Sequence, residues 1–552
     1  MRARQLFLET LLAHGVTRLF GNPGSTENAV VDGHFDYPEF EYILALHEGV
    51  AVGAATFYAQ ASGETPLVNL HAGPGLGNGI GMIYGALRAT VPMIVTAGQQ
   101  DSRMLLREPI LSHDLAGMAA PVVKFSMEIE RADEVSLAVR RAYSIANQAP
   151  KGPVFLSLPL NVMEAETNAP LQGPGKLFRT PTADQAGIAA AAEILAKASR
   201  PIIVAGDAVA QNGASQAVGR LAELTGSEIW FETSRGRYPV AASHPAVRGS
   251  LPFDSVAMRA LFEAADTILL IGGRFFEELW FNAEVSPLAG LEAPVVQIDD
   301  AEDRLAQFHA IDLGLIGDMG TTADALADAL ELELDDAYRA GAAARLATVA
   351  TAREDRRARF EARLEQPAEA GKVSVARAMA SLRDTIPAGT VFANEIITTR
   401  PDFEGAFDTF GTDDYFAGRG GGIGQGLAGA IGVKLARPDN PVVCVSGDGS
   451  AMYSIQALWT AAHHDLAVVF IILSNREYRV LKTNLDEWRR RFEMTSNTPN
   501  PLMDIADPPL DFVALAKGMG IDGAYVDSND AVAPALEKAF ASGKPYLVEL
   551  EY

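Results

Sequence analysis

Short apolar runs alternate with segments of helical spacing along the whole chain. In the first third, TRLFG (17–21), EYILAL (41–46), PLVNLHAG (66–73), VPMIVTAG (91–98) and GPVFLSLP (152–159) have strand length, and helical patterns such as GVAVGAATFYAQASG (49–63) lie between them. Near-continuous apolar strands alternating with helices are the pattern of parallel sheets covered on both faces. The theme restarts twice: RPIIVAGDAV, SEIWFET, DTILLIGGRF and APVVQIDD in the middle third, then GTVFANE, PVVCVSGDG, AVVFIILSN and PYLVELEY in the last. This predicts an α/β fold of three doubly wound parallel-sheet domains in series, at 1–165, 183–335 and 370–552. The Pro-, Gly- and Thr-rich stretch at 166–184 reads as a linker. The Ala-, Glu- and Arg-rich stretch from 321 to about 370 reads as helix and connector.

Composition narrows the function classes. The chain has 552 residues, well above the size of one core, and it is 48% hydrophobic and 21% charged, as soluble globular proteins are. A formal net charge of −25 argues against nucleic acid as a partner, because that binding rests on Lys and Arg neutralising phosphates. The single cysteine, Cys444, excludes an intrachain disulfide and a thiolate zinc cluster. No apolar run approaches the roughly 20 residues of a membrane span, and MRARQLFLETLLAHG reads as an amphipathic helix interrupted by Glu9. The expectation is a cytoplasmic protein with no membrane partner.

Candidate chemistry centres on CVSGDGSAMY (444–453). Gly447 and Gly449 let the backbone approach a ligand closely, and a helix is predicted to start at Ser450, where its N-terminus would favour a phosphate. Asp448 would repel that phosphate unless a divalent cation lay between them. The next strand, AVVFIILSN, ends 27 residues further on at Asn475. Parallel strands joined by a helix end at one edge, so Asp448 and Asn475 would present oxygens to one point, with the Glu477 backbone carbonyl as a third donor. Hard oxygen ligands with few carboxylates suit Mg2+.

The pattern strand, GDGS, helix, strand, Asn resembles the signature of thiamine diphosphate enzymes. LFGNPGSTE (19–27), YILALHEGVAVGAA (42–55), VNLHAGPGLGNGIG (68–81), PMIVTAGQQ (92–100), GPVFLSLP (152–159) and GDGSAMYSIQALWTAA (447–462) extend the resemblance from end to end, in family order. The family is that of acetolactate synthases and 2-oxo-acid decarboxylases, and the likeness is greatest to its benzoylformate decarboxylase branch. It implies pyrimidine-binding, middle and diphosphate-binding domains, with thiamine diphosphate and Mg2+ as cofactors. Glu48, in LHEGV, matches the glutamate that protonates the pyrimidine ring, and it precedes an apolar helix that would bury it. Ile423, in GRGGGIGQG, matches the residue that props the cofactor into its bent shape. Glu395 and Thr398, in ANEIITT, fall in a cofactor-contacting loop, although Ile396 and Ile397 stand where hydroxyl residues are expected. Gly447, Gly449, Ser450 and Tyr453 belong to the cofactor segment, and Ser25 and His71 match a pair that binds the substrate carboxylate and handles protons.

The resemblance also implies a homo-oligomer, dimer or tetramer, with its site between subunits, and non-oxidative decarboxylation of a small 2-oxo acid to an aldehyde. Carboligation is the alternative. One departure bears on that choice: the middle-domain histidine of benzoylformate decarboxylases falls at Leu279, and none of the nine histidines lies in IGGRFFEELWF. A second is the basic segment REYRVLKTNLDEWRRRFEM (476–494), where Lys482 could meet a second anionic group of the substrate and Arg489 to Arg491 read as a solvated face. A nicotinamide oxidoreductase is disfavoured, because GQGLAG (424–429) follows a glycine loop and not a strand. A flavin in the middle domain is a separate question for an absorbance spectrum. A decayed, non-catalytic scaffold is disfavoured by the presence of Glu48, Asp448 and Asn475.

Overall fold

The computed structural model describes residues 1–280, 285–496 and 498–552. Three six-stranded parallel sheets are present, one in each third of the chain. The first has the order β2-β1-β3-β4-β6-β5, from β1 (Arg18–Gly21), β2 (Glu41–Leu44), β3 (Leu67–Leu70), β4 (Met93–Gln99), β5 (Ser126–Glu128) and β6 (Pro153–Pro159). The second, β12-β11-β10-β7-β8-β9, uses β7 (Pro201–Ala205), β8 (Glu228–Phe231), β9 (Val247–Ser250), β10 (Thr267–Ile271), β11 (Val295–Asp299) and β12 (Leu313–Ile316). The third, β14-β13-β15-β16-β18-β17, uses β13 (Val391–Glu395), β14 (Tyr415–Ala417), β15 (Val442–Gly447), β16 (Val468–Ser474), β17 (Asp522–Val526) and β18 (Tyr546–Glu551). Every strand read from an apolar run forms, and residues 167–184 carry no helix or strand, as their composition predicts.

The chain divides into two compact units. One holds Met1–Gly175, Leu364–Ala406 and Phe416–Tyr552, and therefore the first and third sheets. The other holds Lys176–Arg363 with Phe407–Tyr415. That last strap stays with the middle sheet because it is tied there: Phe410 accepts the Ala242 amide at 2.7 Å, Asp413 pairs with Arg237 at 2.7 Å, and Asp408 accepts from Arg357 at 3.0 Å.

Within the first unit one continuous core joins the two sheets. The helix Glu48–Ser62, buried over nearly its whole length, packs on the helix Gln425–Ala436. Small residues permit the close approach. A Cβ at Gly432 would lie 1.9 Å from the Ala54 carbonyl oxygen, and one at Gly429 would lie 2.6 Å from the Phe57 ring. Among the described residues no helix is long and apolar enough to cross a membrane.

Candidate active site

Two groups of predicted residues gather at the carboxyl ends of the first and third sheets, the edge where open α/β folds bind ligands. In the first group, Glu48 opens the helix that follows β2, with His47 capping it through the Gly49 amide at 3.0 Å. Its carboxylate is buried and accepts from Asn78 Nδ2 at 3.0 Å and from Asn22 Nδ2 at 3.4 Å. His71 leaves β3 at the N-terminus of the helix Ala72–Arg88. Gly75 joins the two, for a Cβ there would sit 3.0 Å from Glu48 Oε1 and 3.1 Å from the His71 Cβ.

Beneath His71 lies Glu27, a residue quoted in the sequence motif without a role. His71 Nδ1 donates to its Oε2 at 2.8 Å, while the Gly98 amide at 2.9 Å and the Thr26 hydroxyl at 2.7 Å reach its Oε1. A fully buried carboxylate needs such donors. It also sets the imidazole: with Nδ1–H bound to Glu27, Nε2 is the nitrogen left to exchange a proton. Ser25 is exposed at the start of the single turn Ser25–Glu27.

The second group follows β15 and β16. Asp448 is buried, with Oδ1 accepting the Gly449 amide at 2.8 Å and Oδ2 accepting the amides of Asn475 at 3.1 Å and Arg476 at 2.6 Å. Burial holds its carboxyl above the usual Asp range despite these bonds. Arg476 turns its guanidinium away to Glu551, at 2.8 Å, and among the described residues no cationic side chain pairs with Asp448. Asn475 Oδ1 accepts the Glu477 amide at 3.0 Å, and Nδ2 donates to the Tyr552 phenol at 2.9 Å. Tyr478 covers Gly449, whereas the space beside the Gly447 Cα is open. Ser450 is half-buried.

Glu395 spends its carboxylate on the protein. It accepts the Gly424 and Gly426 amides at 2.7 Å each, capping the Gln425–Ala436 helix, and burial raises its pKa to about 7. Ile423, half-buried, is thus held by the peptide that follows it, in a loop where Gly420, Gly421 and Gly424 all take positive φ. Thr398 is exposed. Met82 touches the positions of both Gly49 and Gly424 and so lies between the two groups.

Two sequence readings are corrected here. The helix predicted to begin at Ser450 begins at Asp448, stops at Ala451 and resumes over Ala457–His463. Amides 453, 454 and 457–459 bond carbonyls three residues back, which tightens this segment into turns. Lys482 is not free for a substrate anion, since it pairs with Glu477 and, at 2.5 Å, with Asp504; Arg490 and Arg491 pair with Glu487. Leu279 is 61% exposed.

Comparison with known proteins places this geometry. Models of the thiamine pyrophosphate enzyme N-terminal TPP binding domain, central domain and C-terminal TPP binding domain match residues 1–118, 188–326 and 407–550. The benzoylformate decarboxylase of Pseudomonas aeruginosa is 32% identical over 98% of this chain and 97% of its own. The chain belongs to the thiamine pyrophosphate enzyme family. Escherichia coli acetolactate synthase isozyme 2 large subunit is 27% identical, over 100% of this chain and 95% of its own. Among solved structures, the Rhodococcus jostii thiamine diphosphate-dependent 4-hydroxybenzoylformate decarboxylase superposes with a TM-score of 0.85 at 30% identity, over 100% of this chain and 99% of that one. Benzoylformate decarboxylase from Polynucleobacter necessarius gives 0.83 at 26%, over 100% and 98%.

The residues present fit the family's cofactor. A buried carboxylate without a cation, an amide oxygen beside it and open glycine backbone form a hard-oxygen donor set suited to a divalent ion bridging to diphosphate. Among the described residues no group of three or more His, Cys, Asp or Glu side chains could hold a metal, so a cation here would need oxygens from the cofactor as well.

Proposed function

We propose that this thiamine pyrophosphate enzyme catalyses the Mg2+-dependent, non-oxidative decarboxylation of a 2-oxo acid to an aldehyde, in the manner of benzoylformate decarboxylases. The supporting observation is the Glu27–His71 pair set beside buried Glu48, in a chain similar over its whole length to such an enzyme. Bound thiamine diphosphate supplies a nucleophilic carbon that takes up the electrons released as CO2 leaves. Asp448, Asn475 and the Glu477 carbonyl would hold Mg2+, with Gly447, Gly449, Ser450, Tyr453, Glu395 and Thr398 framing the diphosphate side and Ile423 supporting the cofactor's bend. Glu48 holds a proton for the pyrimidine ring, with Asn78 and Asn22 fixing its carboxyl. Ser25 and His71 orient the substrate carboxylate, and His71 Nε2 returns a proton to the product. With Leu279 in place of a middle-domain histidine, that transfer rests on His71.

The Leu279 departure also favours a second reading, in which the decarboxylated fragment passes to another carbonyl compound to give a 2-hydroxyketone. Incubation with pyruvate and with benzoylformate, assayed for aldehyde and for hydroxyketone, separates the two. Absence of both products across aryl, alkyl and dicarboxylic 2-oxo acids sinks both. Glu48→Gln keeps cofactor binding and lowers turnover at least about 100-fold; full activity in that variant would refute its role.

The working form in this proposal is a homodimer or dimer of dimers with the site between subunits, in the cytoplasm. Leu106 and Ile110, fully or largely exposed on the loop after β4, are apolar surface that such an interface would cover. The buried, unpaired Cys444 fits a cytoplasmic setting.

A further inference from the structure

Tyr552 was given no role by the motif reading, yet it stands at the centre of the proposed cation site. β18 pairs with β16 as far as Glu551 opposite Ser474. The Tyr552 amide then donates to the Ser474 carbonyl at 3.0 Å, which brings its ring alongside Asn475. The phenol oxygen receives the Asn475 Nδ2 donor at 2.9 Å. The Arg479 guanidinium lies 5.1 Å from the ring centroid.

The two ends of an Asn amide have the same shape and opposite chemistry, and a hard cation accepts only the oxygen. Here the ends are told apart by their partners. The phenol oxygen accepts from Nδ2, while the Glu477 amide donates to Oδ1 at 3.0 Å. A flipped amide would set Nδ2 against the Glu477 N–H and lose that bond, and the phenol would have to turn donor to meet Oδ1. Asn475 also donates its backbone amide to Asp448, so the orientation of its side chain and the hydrogen bonding of Asp448 belong to one turn.

We infer that Tyr552 is a positioning residue for the cation: its phenol oxygen, together with the Glu477 amide, holds the Asn475 side chain so that Oδ1 is the end left for a divalent ion shared with Asp448. This rests on the Mg2+ reading above. The test uses full-length protein stripped with EDTA and refilled with thiamine diphosphate, with Mg2+ binding followed by calorimetry. Tyr552→Phe, which keeps the ring and removes the acceptor, raises the Mg2+ dissociation constant at least about 10-fold, the usual cost of losing an outer-shell partner. In an Asn475→Asp background, which has no amide to orient, Tyr552→Phe changes the constant less than about twofold. An unchanged constant in Tyr552→Phe, with the melting temperature of the stripped protein also unchanged, overturns the inference. Asp448→Asn separates the two levels: if it leaves Mg2+ binding intact, the cation reading itself fails, whereas loss there with no effect of Tyr552→Phe removes only the role of Tyr552.

Discussion

At the scale of residues, burial decides what each carboxylate does. Glu27, Glu48, Asp448 and Glu395 all sit at strand or helix ends with their oxygens aimed at donors, and the donors differ. Glu27 receives three backbone amides, from Gly98, Gly24 and Ala72 at 2.9, 3.1 and 3.3 Å, in addition to His71. Glu27→Gln would point an NH2 at one of these donors. We expect a loss of about 1–3 kcal/mol of stability by thermal or denaturant unfolding, and slower turnover from a loosened His71. Glu395 is held by the Gly424 and Gly426 amides, which favour its anion, but burial is the larger effect and lifts its pKa from 4.5 to about 7. The folded state therefore binds this proton more tightly than the unfolded chain. The contribution to stability is complete below about pH 4.5 and disappears as pH rises through about 7. Glu395→Gln should flatten that part of the stability profile, and an unchanged slope in melting temperature between pH 5 and 7 would count against it. The motif legibly marked Asp448, Glu48 and His71. Glu27 and Tyr552 were not legible as functional, because their roles come from which groups lie over them.

At the scale of elements, every interior strand was legible in the sequence, and of the edge strands only β2. β5, β9, β12, β14 and β17 correspond to none of the apolar runs, and all five are edge strands. Such a strand shares its faces with solvent or is very short, so no continuous apolar run marks it. The broken helix after Asp448 has a related cause. Its sequence has helical composition, but the backbone tightens into turns at 452–456, where Tyr453 lies against Gly424. The contact between the helices Glu48–Ser62 and Gln425–Ala436 gives a direct test. Gly432→Ala gains up to about 1 kcal/mol of helix propensity but drives a Cβ to 1.9 Å from Ala54 O. Overpacking of that kind costs about 1–3 kcal/mol or more. The net expectation is a lower melting temperature, and a stabilised variant would contradict the packing. Lys482→Ala, at a partly exposed ion-pair cluster, should change stability by less than about 1 kcal/mol. It should also leave the preference between mono- and dicarboxylic substrates unchanged in a substrate panel.

At the scale of the whole molecule, both TPP binding domains, apart from the Phe407–Tyr415 strap, fall in one compact unit built around a shared core. Ligand binding there should raise the stability of that unit. At a concentration 100 times its dissociation constant, thiamine diphosphate with Mg2+ stabilises it by about 2.7 kcal/mol, and EDTA reverses the gain. A melting temperature indifferent to both would speak against the cofactor site. Light scattering on the purified protein tests the oligomer. The sequence by itself determined the three α/β domains and the candidates Asp448 and Asn475, because periodicity, glycine spacing and strand ends are local properties of the chain, and its resemblance to thiamine diphosphate enzymes supplied the cofactor class and the candidates Glu48 and His71. Only the tertiary structure decided that Glu27 fixes His71, that Glu395 caps a helix, that Lys482 is neutralised by Glu477 and Asp504, and that Tyr552 orients Asn475. Except for the nearby Glu477, those depend on partners brought from tens of residues away, and at the buried strand ends each polar group is held by whichever donor the fold sets within reach.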